Sequence, residues 1–202
     1  MPCIKEESIH EIVIEKSRFI TYLNRVTSED EAKTYIQTIK KMHPTATHHC
    51  TAYIFGEHNE FQKSSDDGEP SGTAGVPMLE SLKKNNMQDT LAVVVRYFGG
   101  IKLGTGGLIR AYSKSVSNAI ASSKLVEKRK MLEYNLEFSY DMIGIFDYYF
   151  AQHHIPIINK QYEEKVTYTY LCDHDLTEDL MEMGKGQIKN SYQKECFVEV
   201  DI

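Results

Sequence analysis

Thr90-Leu-Ala-Val-Val-Val-Arg-Tyr-Phe-Gly-Gly-Ile-Lys-Leu-Gly-Thr-Gly-Gly-Leu-Ile-Arg-Ala-Tyr112 is the stretch that decides the fold. Residues 90–98 are near-continuously apolar, as a central strand covered on both faces requires. Gly99, Gly100, Gly104, Gly106 and Gly107 follow, five glycines in nine residues. Glycine loses more backbone freedom on folding than any other residue, so this run predicts a tight turn or a close approach to a ligand. Ala111, Ser115 and Ala119 then form a stripe of small side chains, which predicts a helix to about residue 123 lying close against the sheet. Arg96, Lys102 and Arg110 supply cationic donors at the same edge, a pattern suited to phosphate or a nucleic-acid backbone. The phosphate-loop pattern fails, because Thr105 and not Lys follows Gly104. The dinucleotide pattern fails as well, with Ile109 at its third glycine position.

Working outward, residues 8–14 and 17–26 read as strands. Ser28-Glu29-Asp30-Glu31 reads as a capping box that opens a helix to about residue 42. Strands are expected over 47–55 and 60–63. A polar turn over 64–72 leads into a helix over 73–85, with Ser71 or Thr73 as its cap. Lys128-Arg129-Lys130 reads as a linker. Beyond it come a strand at 131–140, a helix at 141–154 capped by Asp141, a hairpin at 157–161 and 165–171, a helix at 175–188 and a strand at 191–200. That order is β-α-β-β-α-β, the split βαβ of ferredoxin-like domains. The chain is therefore expected to be an α+β protein with a first domain over 1–128 and a second over 131–202.

The net charge of −6 is unevenly spread. Residues 1–130 hold 18 basic and 15 acidic side chains, and residues 131–202 hold 5 and 14. Such asymmetry supports two units with different surfaces and argues against salt-driven nucleic-acid binding by the whole chain. No run approaches the ~20 apolar residues that span a bilayer. The first residues lack the basic start and apolar core of a secretory signal. Cys3, Cys50, Cys172 and Cys196 are widely spaced without a CxxC pair, which predicts a reducing cytoplasm and no structural disulfide.

Asp66-Asp67-Gly68-Glu69-Pro70-Ser71-Gly72-Thr73-Ala74-Gly75 is a second glycine-rich turn before a helix, where free backbone N–H groups favour anions. An ordinary capped loop explains it equally simply. His43, His48, His49 and Cys50 carry zinc-type donor atoms. In a strand, however, His48 and His49 point to opposite faces, so no metal is expected and only one of them faces the glycine turns. Tyr97 is a further candidate contact there. Ser71 and Thr73, with His48 or His49 as base and Asp66, Asp67 or Glu69 as orienter, keep a hydrolase or phosphotransferase reading open. The clustered Tyr148, Tyr149, Tyr162, Tyr168 and Tyr170 read as a tyrosine-rich core and sheet face rather than as base-stacking platforms, because the second domain is acidic.

The run 93–112 closely resembles the signature of the IMPACT family, in its bacterial YigZ-type branch. Asp67-Gly68-Glu69-Pro70-Ser71-Gly72-Thr73-Ala74-Gly75-Val76-Pro77 is similar to the family's other motif, and Lys16-Ser17-Arg18-Phe19 and His43-Pro44 with His48-His49-Cys50 also resemble it. The resemblance covers about residues 5–125 strongly. It implies a first domain like the second domain of ribosomal protein S5 and a ferredoxin-like second domain like the last domain of elongation factor G. Eukaryotic members regulate translation by binding the activator of a stress kinase, a pathway bacteria lack. No agreed enzymatic activity attaches to the family.

Three functional classes follow. The first is a translation-associated binding protein that holds RNA, the ribosome or another phosphate-bearing ligand at Gly68, Glu69, Ser71, Gly72, Thr73, Arg96, Gly99, Gly100, Lys102, Gly104, Gly106, Gly107 and Arg110. The second is an enzyme with a cleft between the two loops. The third is a protein–protein adaptor. The sequence assigns no cofactor and no oligomeric state.

Overall fold

The computed structural model describes residues 1–202. The protein is α+β with two sheets. It divides into two compact units, Met1–Glu127 with Asp201–Ile202, and Lys128–Val200. No helix is long and apolar enough to cross a membrane.

In the first unit the elements run β1 (Pro2–Ile4), β2 (Ser8–Ile14), β3 (Ser17–Arg25), α1 (Glu29–Met42), β4 (His48–Phe55), β5 (Phe61–Ser65), α2 (Gly75–Lys84), β6 (Thr90–Tyr97) and α3 (Gly104–Ala121). Its main sheet has the order β2-β3-β6-β4-β5, with β6 at the centre. Period-2 alternation sorts that strand. Leu91, Val93 and Val95 face Ala32 and Ile39 of α1. Ala92 and Val94 face Met78 and Leu82 of α2 and Ala111, Tyr112, Val116 and Ala119 of α3. Each fully buried Val or Leu contributes roughly 1.5–3 kcal/mol of transfer free energy. Arg96 continues the even face toward α2 and α3, and that decides its chemistry below.

Helix α1 is capped as its sequence demands, with the Ser28 hydroxyl accepting from the Glu31 N–H at 3.2 Å. The Glu31 carboxylate reaches one residue further back than a capping box expects, to the Thr27 N–H at 2.7 Å. Glu29, Asp30 and Glu31 in the first turn and Lys40 and Lys41 in the last suit the helix dipole.

The second unit contains β7 (Leu125–Phe138), α4 (Ile143–Gln152), β8 (Ile157–Tyr162), β9 (Val166–Cys172), α5 (Thr177–Met183) and β10 (Lys189–Asp201). The strands are ordered β10-β7-β9-β8, with antiparallel β7–β9 and β9–β8 pairs. Tyr134, Leu136 and Phe138 pack with Phe146, Phe150, Tyr168, Tyr170 and Leu180. Tyr168 and Tyr170 are thus core, while Tyr148 and Tyr162 are exposed.

Two local readings are corrected, and one strand is added. Lys128-Arg129-Lys130 is not a linker but part of β7, and the unit boundary falls inside that strand. Strand pairing and the Lys130–Glu195 ion pair at 2.7 Å hold these basic residues extended. Strand β1, paired with Leu125–Glu127, is too short to show a period. Asp141 does not cap α4; it sits in a 3-10 turn (Tyr140–Met142) that precedes the helix.

Candidate functional site

Arg96 lies between two cross-strand neighbours, Phe19 on β3 and His48 on β4. It is 5% exposed. Its Nη1 donates to Glu69 Oε1 at 2.6 Å, and Nη2 reaches Ser17 Oγ at 3.4 Å. The guanidinium lies 5.3 Å from the Phe19 ring centroid and 5.5 Å from that of Phe98. Its Nε has no partner. Glu69, also buried, accepts a second bond from the Tyr112 hydroxyl at 2.8 Å, and the Cys50 thiol lies 3.3 Å from that hydroxyl. Burial pushes the Cys50 thiol up to about 12 and raises the Tyr112 phenol as well. Both stay protonated near neutral pH. Arg96 and Glu69, candidate ligand contacts in the sequence, form a buried ion pair that ties the first glycine loop to the central strand.

The first loop also caps its own helix, by a route the sequence did not suggest. Neither Ser71 nor Thr73 caps α2. The Thr73 hydroxyl donates to the Pro70 carbonyl at 2.6 Å, and Ser71 is exposed. The Asp66 carboxylate takes the position, accepting from the N–H groups of Gly72 (2.8 Å), Ala74 (3.0 Å) and Gly75 (2.8 Å). The anion position at the start of α2 is therefore filled by the chain itself. Partial burial raises the Asp66 carboxyl, but the N–H groups of Gly72, Gly75 and Ala74 outweigh it and hold the group below its usual range.

Asp66→Ala strands three N–H groups and should cost about 2 kcal/mol at neutral pH in urea unfolding. A carboxylate whose folded pKa is depressed stabilises above its unfolded pKa and loses that contribution as pH falls through the folded value. The gap between wild type and Asp66→Ala should therefore narrow below about pH 4.

Asp67 fastens the same loop to the sheet. Its carboxylate accepts from Lys40 Nζ at 2.9 Å and from the His49 N–H at 2.7 Å, and its carbonyl lies 2.8 Å from His48 Nδ1. Of the two histidines, His48 lies beside Gly68, and its Nε2 is 3.8 Å from Glu69 Oε2. His49 is on the other face, against the His43 carbonyl. Tyr97 is also there: its hydroxyl lies 2.8 Å from His43 Nδ1, while Tyr22 approaches His43 Nε2 at 2.6 Å. Burial, then His49 and Arg18, lower the His43 pKa. Strand alternation thus turns Tyr97 and the His49 ring away from the Arg96 side of the sheet, although His49 Nδ1 still lies 3.7 Å from Asp67 Oδ2 of the first loop. No three His, Cys, Asp or Glu side chains are gathered to hold a metal ion.

The second loop ends earlier than its glycines suggest. Helix α3 begins at Gly104, so Gly104, Gly106 and Gly107 form its first turn. Gly104 has φ +69°, which any other residue enters only with strain. No side chain caps this end. Gly99 and Gly100 make the turn itself. The two loops meet around a cavity of about 380 Å³ lined by Glu69, Pro70, Arg96, Phe98, Lys102, Leu103, Gly104, Thr105 and Leu108. A second hollow of about 570 Å³ adjoins it, since Lys102 and Leu103 line both. There Lys102, Arg110 and Lys114 come together with one carboxylate, Glu15. All three cations are exposed and none forms an ion pair. Lys114 was missed in the sequence, although its signal was present: Arg110 and Lys114 are four apart on one helix face, where like charges repel.

Residues 15–120 match the Impact N-terminal domain. The chain is 49% identical over 192 residues to the IMPACT family member YvyE of Bacillus subtilis, covering 92% of this chain and 88% of that one. It is 41% identical over 152 residues to the IMPACT family member YigZ of Escherichia coli, covering 74% of each. A crystal structure described only as that of a hypothetical protein superposes with a TM-score of 0.61 at 33% identity, over 96% of this chain and 97% of the other. With a matched domain over half its length and such identity along most of both chains, the protein belongs to the IMPACT family.

Proposed function

We propose that the protein acts in translation by binding RNA, on the ribosome, through the cationic face at the start of α3. The observation that carries this reading is the hollow in which Lys102, Arg110 and Lys114 stand exposed and unpaired. Cations without carboxylate partners are available to phosphate oxygens, and their counterions are released on binding. The setting in translation follows from what the family resemblance implies, a first domain like that of ribosomal protein S5. The order β10-β7-β9-β8 supports reading the second unit as ferredoxin-like. The hydrolase reading loses support, because no hydrogen bond joins Ser71 or Thr73 to a histidine and Arg96 is neutralised by Glu69.

Co-sedimentation with ribosomes tests the proposal. Wild type should pellet with ribosomes at ~50 mM salt and bind about 20-fold more weakly at ~200 mM if three phosphates are contacted on a single strand. Lys102→Glu/Arg110→Glu/Lys114→Glu alters only exposed positions, so the fold should persist while association is lost. Absence of pelleting at low salt, or a triple variant that pellets like wild type, would count against the proposal.

A further inference from the structure

We infer that the 380 Å³ cavity between the glycine loops is a nucleobase site, and that RNA is bound as a single strand with one base inserted there and its phosphates crossing the neighbouring cations. The inference rests on the RNA reading above and specifies how the strand is held.

The cavity is not suited to phosphate. Glu69 lines it, already neutralises Arg96, and would repel an anion. Most of its wall is apolar: Pro70, Phe98, Leu103 and Leu108. Its size falls within the ~300–1,000 Å³ range of small-ligand sites. Two further features fit the chemistry of a base. Phe98 is 47% exposed at the end of a buried strand, and its backbone is held by an N–H bond to Thr47 Oγ1 at 3.1 Å. A fixed, exposed aromatic ring is a stacking platform, and the Arg96 guanidinium packed 5.5 Å from its centroid strengthens it. Arg96 itself lines the cavity, is only 5% exposed, and has an Nε–H without any acceptor. A buried donor left unpaired is costly, and a carbonyl oxygen or ring nitrogen on a base edge would satisfy it.

The cation hollow shares Lys102 and Leu103 with this cavity, so a strand lying along α3 can place a base in one and its phosphates in the other. A base inside a duplex is stacked on both faces and paired at its edge, which excludes double-stranded RNA from this arrangement.

The experiment is fluorescence anisotropy with three labelled ten-nucleotide probes: oligouridylate, an abasic ribo-oligomer carrying the same phosphates, and oligodeoxythymidylate. One well-stacked base should make oligouridylate bind about 5- to 150-fold more tightly than the abasic probe. Phe98→Ala should remove that advantage, so that oligouridylate binds the variant no more tightly than the abasic probe does. Equal affinity for oligouridylate and the abasic probe, both lost in the triple cation variant, would overturn the base site while preserving the phosphate reading. Failure of every probe to bind would overturn both. Tighter binding of the deoxy probe than of oligouridylate would overturn the assignment to RNA.

Discussion

Arg96→Met should lower the unfolding free energy by about 3–5 kcal/mol, the largest single loss expected in the first unit. The substitution fills the space of the side chain but leaves the Glu69 carboxylate buried beside Tyr112 without the guanidinium, its nearest remaining basic group being the His48 ring at 3.8 Å. Breaking a buried pair by removing one partner leaves one charge without compensation, which costs far more than the intact pair contributes. Adding Glu69→Gln should recover most of the loss, because the amide oxygen still accepts from Tyr112 and no buried charge remains. Urea unfolding of the single and double variants at neutral pH reads this coupling. A double variant as unstable as Arg96→Met would mean that the loss came from packing against Phe19 and Phe98 rather than from the stranded carboxylate. The consequence for function is direct: loss of ligand binding in an Arg96 variant reports unfolding as readily as a lost contact.

Gly99→Ala is the second large effect, at about 3 kcal/mol in the same unfolding measurement. A β-carbon at Gly99 would overlap the backbone of Lys16 and Ser17, where the turn between β2 and β3 passes beneath the second glycine loop. Backbone cannot step aside as a flexible side chain can. Any shift also disturbs the Gly99 N–H bond to Ser17 Oγ at 3.1 Å, and with it the Arg96 contact to the same oxygen. Gly100→Ala is the control. Its φ is +87° but the space around it is open, so only the conformational strain of about 1–2 kcal/mol applies. Equal losses at the two positions would show that the close approach is not what requires Gly99.

These two residues mark how far the sequence could be read. Central strand β6 was legible because its run is apolar apart from Thr90 and Arg96, and the start of α1 was legible because Ser28 and Glu31 stand at capping distance. The face of Arg96 was implicit in its alternation with Ala92 and Val94. Its partner was not, since Glu69 is 27 positions away and no local rule joins them. The same holds for Asp66, whose carboxylate caps a helix starting nine residues later, a bond that depends on how the intervening loop folds back. Five glycines predicted a loop, yet three of them open α3: Gly104 and Gly106 stand at exposed first-turn positions, which tolerate residues that a helix interior penalises, and a β-carbon at half-buried Gly107 would crowd Leu103. Arg110 was legible as a cation at the glycine edge. Its association with Lys114 and its separation from Arg96 depend on which way each helix face turns.

The central claim is that anion-binding capacity resides in Lys102, Arg110 and Lys114 and not in the buried Arg96. The slope of log affinity against log salt concentration, measured for oligouridylate, tests it most directly because the slope counts displaced counterions whatever else the ligand contacts. Lys102→Ala/Arg110→Ala/Lys114→Ala should reduce the magnitude of the slope by about 2, while Arg96→Met/Glu69→Gln, which removes a charge pair of zero net charge, should leave it unchanged. An unchanged slope in the triple variant, or a reduced one in the double, would contradict the account.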